Sequence, residues 1–168
     1  MLVSRVDKEH SEKHGKGSAE YVERRVSDDL PNLFVRLAEE DTDAMVRIYE
    51  RTAPLLFAQI HRILQSDALS QEALRSVFAS LWAARKDWAA EGQREEPWVI
   101  LRNLTHRIAL EVLYALPHSD RPASDTDPLR IDTDQAYLDC PQIEPNAELK
   151  NTLIDMIRAD LNKRGSKT

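Results

Sequence analysis

Trp82, Trp88 and Trp98 are the only three tryptophans of the 168-residue chain, and all fall within residues 70–98. Trp88 has the most suggestive company. It lies close to Arg85, Lys86 and Arg94, and a flat π-face among cations can stack an unpaired base and hold its phosphates. An equally physical reading makes Trp88 a core side chain packed back on the neighbouring helices. The residues alone leave both open.

Catalytic chemistry has little to stand on. The chain contains no His-Glu-x-x-His, no phosphate-cradling glycine loop and no Gly-x-Ser-x-Gly. Its four glycines leave few tight, ligand-embracing turns, and its five histidines are scattered without a triad partner. His10 and His14 are four residues apart but lack a nearby third ligand, so they read as solvated tail residues. Cys140 is the single cysteine, which excludes an internal disulfide and fits a free thiol in a reducing cytoplasm. The expectation is a non-enzymatic, cytoplasmic protein without metal or cofactor.

Helical periodicity supplies the elements that would position Trp88. The central one covers Ser70–Leu81, where Leu74, Val77, Phe78 and Leu81, followed by Trp82, make one buried stripe. Ahead of it, Asp28, Asp29 and Pro31 fit the start of a short helix with Leu30, Leu33, Phe34 and Leu37 on one face. A longer helix follows, capped by Asp41 or Thr42, with Met45, Ile48, Tyr49, Leu56, Ile60 and Ile63 inward. Pro54 falls within it and should kink or restart it. Asp67 marks the turn into the central helix.

Beyond the central helix comes a loop that holds Trp88 and runs on through Ala89–Pro97, which is polar and contains Gly92. Glu95 and Glu96 before Pro97 mark the next helix start, since the dipole attracts carboxylates and proline gives up an unneeded donor. That helix carries Leu101, Leu104, Ile108 and Val112 and should end before Pro117. Pro117–Pro145, with five prolines and a string of aspartates, reads as an extended linker in which Ile131, Tyr137 and Leu138 could dock. A last helix, about Asn146–Asn162, presents Leu149, Leu153, Met156, Ile157 and Leu161. No strand-period segment of useful length occurs, so the fold expected is all-α. It comprises a mobile tail (1–26), a bundle of about four helices (27–116), the acidic linker (117–145) and a detached C-terminal helix (146–168).

Charge is unevenly spread. The formal net charge is −6. From Ala58 to Leu113 seven basic residues balance seven acidic ones, whereas Tyr114–Glu148 holds two basic against eight acidic. The globular part is neutral, too weakly charged to grip duplex DNA by phosphate neutralisation alone. No apolar run reaches the length of a membrane span, and the N-terminus lacks an apolar signal core, so neither membrane insertion nor export is expected.

The order and spacing of several strings resemble region 2 of bacterial RNA polymerase sigma factors of the extracytoplasmic-function class. These strings are Leu37-Ala-Glu-Glu-Asp-Thr-Asp-Ala, Ile48-Tyr-Glu-Arg-Thr-Ala-Pro-Leu-Leu-Phe, Arg62-Ile-Leu-Gln-Ser-Asp-Ala-Leu and Val77-Phe-Ala-Ser-Leu-Trp, followed by the aromatic–loop–Trp98 spacing. The likeness covers about Asp28–Leu113. It implies that the polar face of the central helix, here Gln71, Glu72, Arg75, Ser76 and Ala79, meets the β′ clamp of core RNA polymerase. It implies further that Trp88, with Arg85, Lys86 and Arg94, captures an unpaired base of the promoter −10 element. Arg102, Asn103, Thr105 and His106 on the following helix would also face DNA. An anti-sigma factor is the implied regulator.

Departures from the family pattern fall on these same surfaces. Arg75 stands where a glutamine is usual, and Ser76 where an acid is common. Arg102-Asn103 comes about two residues early, and Leu113-Tyr-Ala-Leu-Pro replaces a run of arginines. The segment from Pro145 resembles the first helix of region 4, and the expectation is a stub of that region without a helix-turn-helix. The resemblance therefore implies a sigma factor, degenerate or truncated. The rival readings are a sigma-like decoy or adaptor that binds an anti-sigma factor or the clamp without reading promoters, and a helical bundle with unrelated partners.

Overall fold

The computed structural model describes residues 28–122, 136 and 144–165. The expected tail (1–26) and most of the expected linker (117–145), with Cys140, lie outside the described residues. Within them the chain forms six α-helices, one short 3₁₀ turn at His118–Asp120 and no strand, in agreement with the all-α expectation.

Helix α1 (Leu30–Ala38) starts after Asp29 with Pro31 in its first turn, and buries Leu30, Leu33, Phe34 and Leu37. Helix α2 (Thr42–Leu64) is capped by Asp41, whose carboxylate accepts the Asp43 N–H at 3.0 Å. It runs as one element through Pro54, so the restart allowed by the sequence does not occur. Burial of Ala53, Leu55, Leu56, Phe57 and Ala58 around the proline holds the segment helical despite the lost donor. Helix α3 (Asp67–Ala83) begins one residue later than its cap: Ser66, not Asp67, accepts the Leu69 N–H at 3.3 Å.

Trp88 sits on a helix rather than in a loop. Helix α4 (Arg85–Glu91) takes up the first half of the supposed loop, with backbone bonds from Trp88 to Ala84 at 3.0 Å and from Gly92 to Trp88 at 2.8 Å. Ala89 and Ala90 favour helix strongly, which overrides the polar composition on either side. Helix α5 spans Pro97–Ala115 and helix α6 spans Ala147–Gly165.

The α3 stripe Leu74, Val77, Phe78 and Leu81 is fully buried, packed chiefly between α2 and α5. Tyr49 of α2 meets Phe78 with ring centroids 4.9 Å apart and planes tilted by 52°. Burial pushes the Tyr49 phenol up to about 12. Trp98 is also fully buried, at the start of α5. Helix α1 packs on α2 and α4 and closes the other end.

The C-terminal helix is docked, not detached. Leu149, Leu153 and Ile157 are buried in the same core as the bundle, against α2 and α3. Their spacing of four makes an apolar stripe that must find cover, and complete burial of such a side chain is worth about 1.5–3 kcal/mol. Asn146 lies near Gln71 and Asp160 near Trp82, so α6 runs parallel to α3. Lys150 pairs with Glu50 and Arg164 with Glu40, which makes α6 antiparallel to α2.

Phe78→Ala should cost about 3–5 kcal/mol, the usual penalty for emptying a buried aromatic site. Urea unfolding measures it, and a variant as stable as the parent would contradict this account of the core. Glu72→Lys, on the exposed side of α3, should stay within about 0.5 kcal/mol in the same assay.

Candidate functional site

Two surfaces carry the residues singled out from the sequence. The first surrounds a cavity of about 330 Å³ lined by Trp88, Glu91, Glu95, Ile100, Asn103, Leu104 and Arg107. Trp88 is half-buried, its indole N–H aimed at the Ser80 carbonyl at 3.4 Å, with part of the ring against the core and part on the cavity. The two readings of this residue therefore describe two sides of one ring. Gly92 lets the following turn close: a Cβ there would lie 3.2 Å from the Trp88 carbonyl oxygen and 3.5 Å from Phe34.

Arg85 does not join this cavity. Its side chain is only 4% exposed and ion-pairs with Glu40. It donates to the Trp82 carbonyl at 3.0 Å, and its guanidinium lies 4.3 Å from the Trp82 ring centroid. The interior position reflects two strong acceptors and an aromatic face on the inner side, which a planar guanidinium can satisfy together. Lys86 and Arg94 are exposed but do not line the cavity, where Arg107 is the cation beside Trp88.

Thr105 is likewise fully buried and cannot reach a ligand on the surface. It lies on the inward face of α5, one residue after Leu104 and four after Leu101. The outward arc of α5 comprises Arg102, Asn103, His106 and Arg107. Arg102 is half-buried, with its guanidinium 5.9 Å from the Trp98 ring centroid, and Asn103 is exposed. His106 Nδ1 lies 3.5 Å from Gln59 Nε2, and burial holds its pKa below the usual value. Burial thus favours the uncharged ring. Arg107, Glu91 and Glu95 were not picked out from the sequence as site residues. The four-residue spacing of Arg107 from Asn103 was the available signal.

The second surface is the side of α3 away from its stripe. Glu72, Arg75 and Ser76 are exposed, and the Ser76 hydroxyl donates to the Glu72 carbonyl at 3.1 Å. Gln71 and Ala79 are half-buried because α6 lies over them. The Gln71 side-chain oxygen accepts the Asn146 N–H at 3.1 Å, and the Trp82 indole N–H donates to Asp160 at 3.0 Å. Between these ties a crevice of about 230 Å³ is lined by Arg75, Ser76 and Ala79 on one side and Thr152, Leu153 and Met156 on the other.

Glu40 links this surface to the interior. It sits in the left-handed region at φ 66°, which costs a non-glycine residue about 1–2 kcal/mol. Its carboxylate engages Arg85 and also Arg164 at 3.0 Å, and Arg164 reaches Asp160 at 3.1 Å. The Arg85 hydrogen bond, aided by Arg164, holds the Glu40 carboxyl below the usual range. Asp41 next door is lowered by Arg36, which donates to it at 2.8 Å. Among the described residues no group of three or more potential ligands could hold a metal ion. No described helix is long and apolar enough to cross a membrane.

Comparison with known proteins finds a distant likeness over about half of the chain. Over 86 residues, 51% of the chain, it is 26% identical to an ECF RNA polymerase sigma factor SigK of Mycobacterium sp. (strain KMS). An ECF RNA polymerase sigma factor SigK of Mycobacterium ulcerans (strain Agy99) is 25% identical over 85 residues, again 51% of the chain. The chain spans 44% of the length of these curated relatives. No family model matches it, and no solved structure does. The resemblance to extracytoplasmic-function sigma factors is thus supported by a distant similarity over half the chain.

Arg85→Ala should destabilise by about 1.5–3 kcal/mol, the worth of hydrogen bonds to charged groups. Lys86→Ala should change stability by less than about 0.5 kcal/mol. Chemical denaturation distinguishes them, and equal effects would remove Arg85 from the interior.

The lowered carboxyls set a pH dependence. Because the folded values lie below the unfolded ones, the contribution of Glu40 is complete above the ordinary carboxylate range, about 4, and is lost as pH falls through the lowered value. Melting temperature followed from neutral pH into acid should fall, and Glu40→Gln should flatten part of that fall. An unchanged profile in the variant would exclude Glu40 as a contributor.

Proposed function

We propose that the chain works as a sigma-factor region 2 module of the extracytoplasmic-function type. The similarity over 86 residues to SigK sigma factors carries this reading. In it, the α3 face of Gln71, Glu72, Arg75, Ser76 and Ala79 docks on the β′ clamp of core RNA polymerase. The cavity beside Trp88 receives an unpaired base of the promoter −10 element. A partly exposed aromatic ring offers stacking, and Asn103, Glu91 and Glu95 offer polar edges to a base. Lys86, Arg94, Arg102 and Arg107 would track the backbone, while burial disfavours a charge on His106. No catalytic step, metal or cofactor is invoked. The setting is the cytoplasm, with an anti-sigma factor as the regulating partner.

A second reading, an adaptor that binds polymerase or an anti-sigma factor without reading promoters, draws on one feature. Arg85 is inside and two carboxylates face the cavity, so the electrostatic attraction for phosphates is small. Promoter dependence separates the two readings. The chain alone should bind duplex promoter DNA no better than the non-specific range of about 10⁻⁴–10⁻⁶ M. With core polymerase, mobility shifts on single-stranded −10 DNA should become sequence-dependent. Trp88→Ala should then weaken binding by about 1–3 kcal/mol, the worth of one base–aromatic stack. Polymerase binding with no promoter preference would favour the adaptor, and failure to bind polymerase would exclude the module reading.

A further inference from the structure

The α6 helix lies along one edge of the α3 strip that would meet a partner and half-buries Gln71 and Ala79 there. Its path follows Gln71, Arg75, Ala79 and Trp82, residues spaced by three or four along one line of α3. The main stripe of α3 does not depend chiefly on it, since Leu74, Val77, Phe78 and Leu81 are packed mostly by α2 and α5. Helix α6 adds three deeply buried side chains, while Met156 and Leu161 are only partly covered. Its seams are incompletely filled on both sides. One is the crevice over Ser76 and Ala79, and the other, of about 290 Å³, lies between α2 and the start of α6 around Tyr49, Pro54 and Pro145.

The ion pairs that tie α6 to the rest of the chain are of the weak kind. In Lys150–Glu50 the side chains are 37% and 54% exposed, and in Arg164–Glu40 they are 52% and 39% exposed. Ion pairs this open to water contribute little. A terminal helix held by a short apolar stripe and exposed ion pairs is the kind of element that opens separately.

We propose that α6 is a displaceable cover, which occupies the α3 face in the closed chain and lifts as one unit from a bundle that stays folded. The competitor it excludes is the polymerase clamp, a part of the inference that rests on the function proposed above. Any competitor for this groove must reproduce what α6 supplies. That is an apolar stripe at four-residue spacing, an acid that accepts the Trp82 N–H, and a base toward Glu40.

Two measurements on the full chain test the cover, both with Cys140→Ser to remove the native thiol. The first compares thiol labelling of Leu153→Cys, buried under α6, with that of Leu101→Cys, buried in α5. Label should enter at position 153 at least about tenfold faster, because α6 opens without global unfolding. Equal rates would overturn the proposal. The second joins Glu50→Cys to Lys150→Cys, the pair that ties α2 to α6 away from the α3 face, with a short bismaleimide and compares core-polymerase binding before and after crosslinking of the same chain. Crosslinking should weaken binding at least about tenfold, since the face can no longer be bared. Unchanged affinity would overturn the cover as a competitor of polymerase. If the uncrosslinked chain fails to bind polymerase at all, the proposed function falls, while faster labelling at position 153 still supports the cover.

Discussion

Helix α3 is apolar around so much of its circumference that the remaining elements are arranged by the need to bury it. Leu74, Val77, Phe78 and Leu81 demand α2 and α5 on one side, and Trp82 extends the demand past the helix end. What remains is a strip of polar and small residues, Gln71, Glu72, Arg75, Ser76 and Ala79. That strip is too narrow to be a second core and too close to apolar surface to be left wholly bare. Helix α6, with an apolar stripe only three residues deep, fits it. The same geometry makes the strip a suitable docking face and explains why it is partly occupied in the chain itself.

Electrostatics divide the molecule differently from packing. Where the sequence concentrates cations near Trp88, the structure withdraws Arg85 into the interior and leaves Glu91 and Glu95 on the cavity. The Arg85 side chain serves the fold by joining the turn before α2, the end of α3 and the start of α4 through Glu40 and the Trp82 carbonyl. Any nucleic-acid affinity must then come more from stacking and shape than from charge, which would make it conditional on a partner that holds the strand in place.

The features legible in the sequence were those set by neighbours. The stripe on α3, the Asp41 cap and the proline start of α5 depend on residues within a turn or two, and all are present as read. Features set by distant partners were not legible. Arg85 reads as a surface cation because its main partner, Glu40, is 45 residues away. The apolar stripe of α6 was plain, but the site that receives it lies on α2 and α3, with the Trp82–Asp160 tie spanning 78 residues. Composition misled in one place: the polar surroundings of Trp88 suggested a loop, where Ala89 and Ala90 complete a helix. For the candidate faces, the exposed members Glu72, Arg75, Ser76 and Asn103 could be placed from helical phase, whereas the burial of Thr105 could not be told from its polar side chain.

Amide hydrogen exchange of the full chain, with and without core RNA polymerase, tests the central claim most directly. Polymerase should slow exchange along α3 near Glu72–Ala79 and, in the same sample, speed it along α6, because one face cannot hold both. Slower exchange along both helices, or no change along α3, would contradict the account.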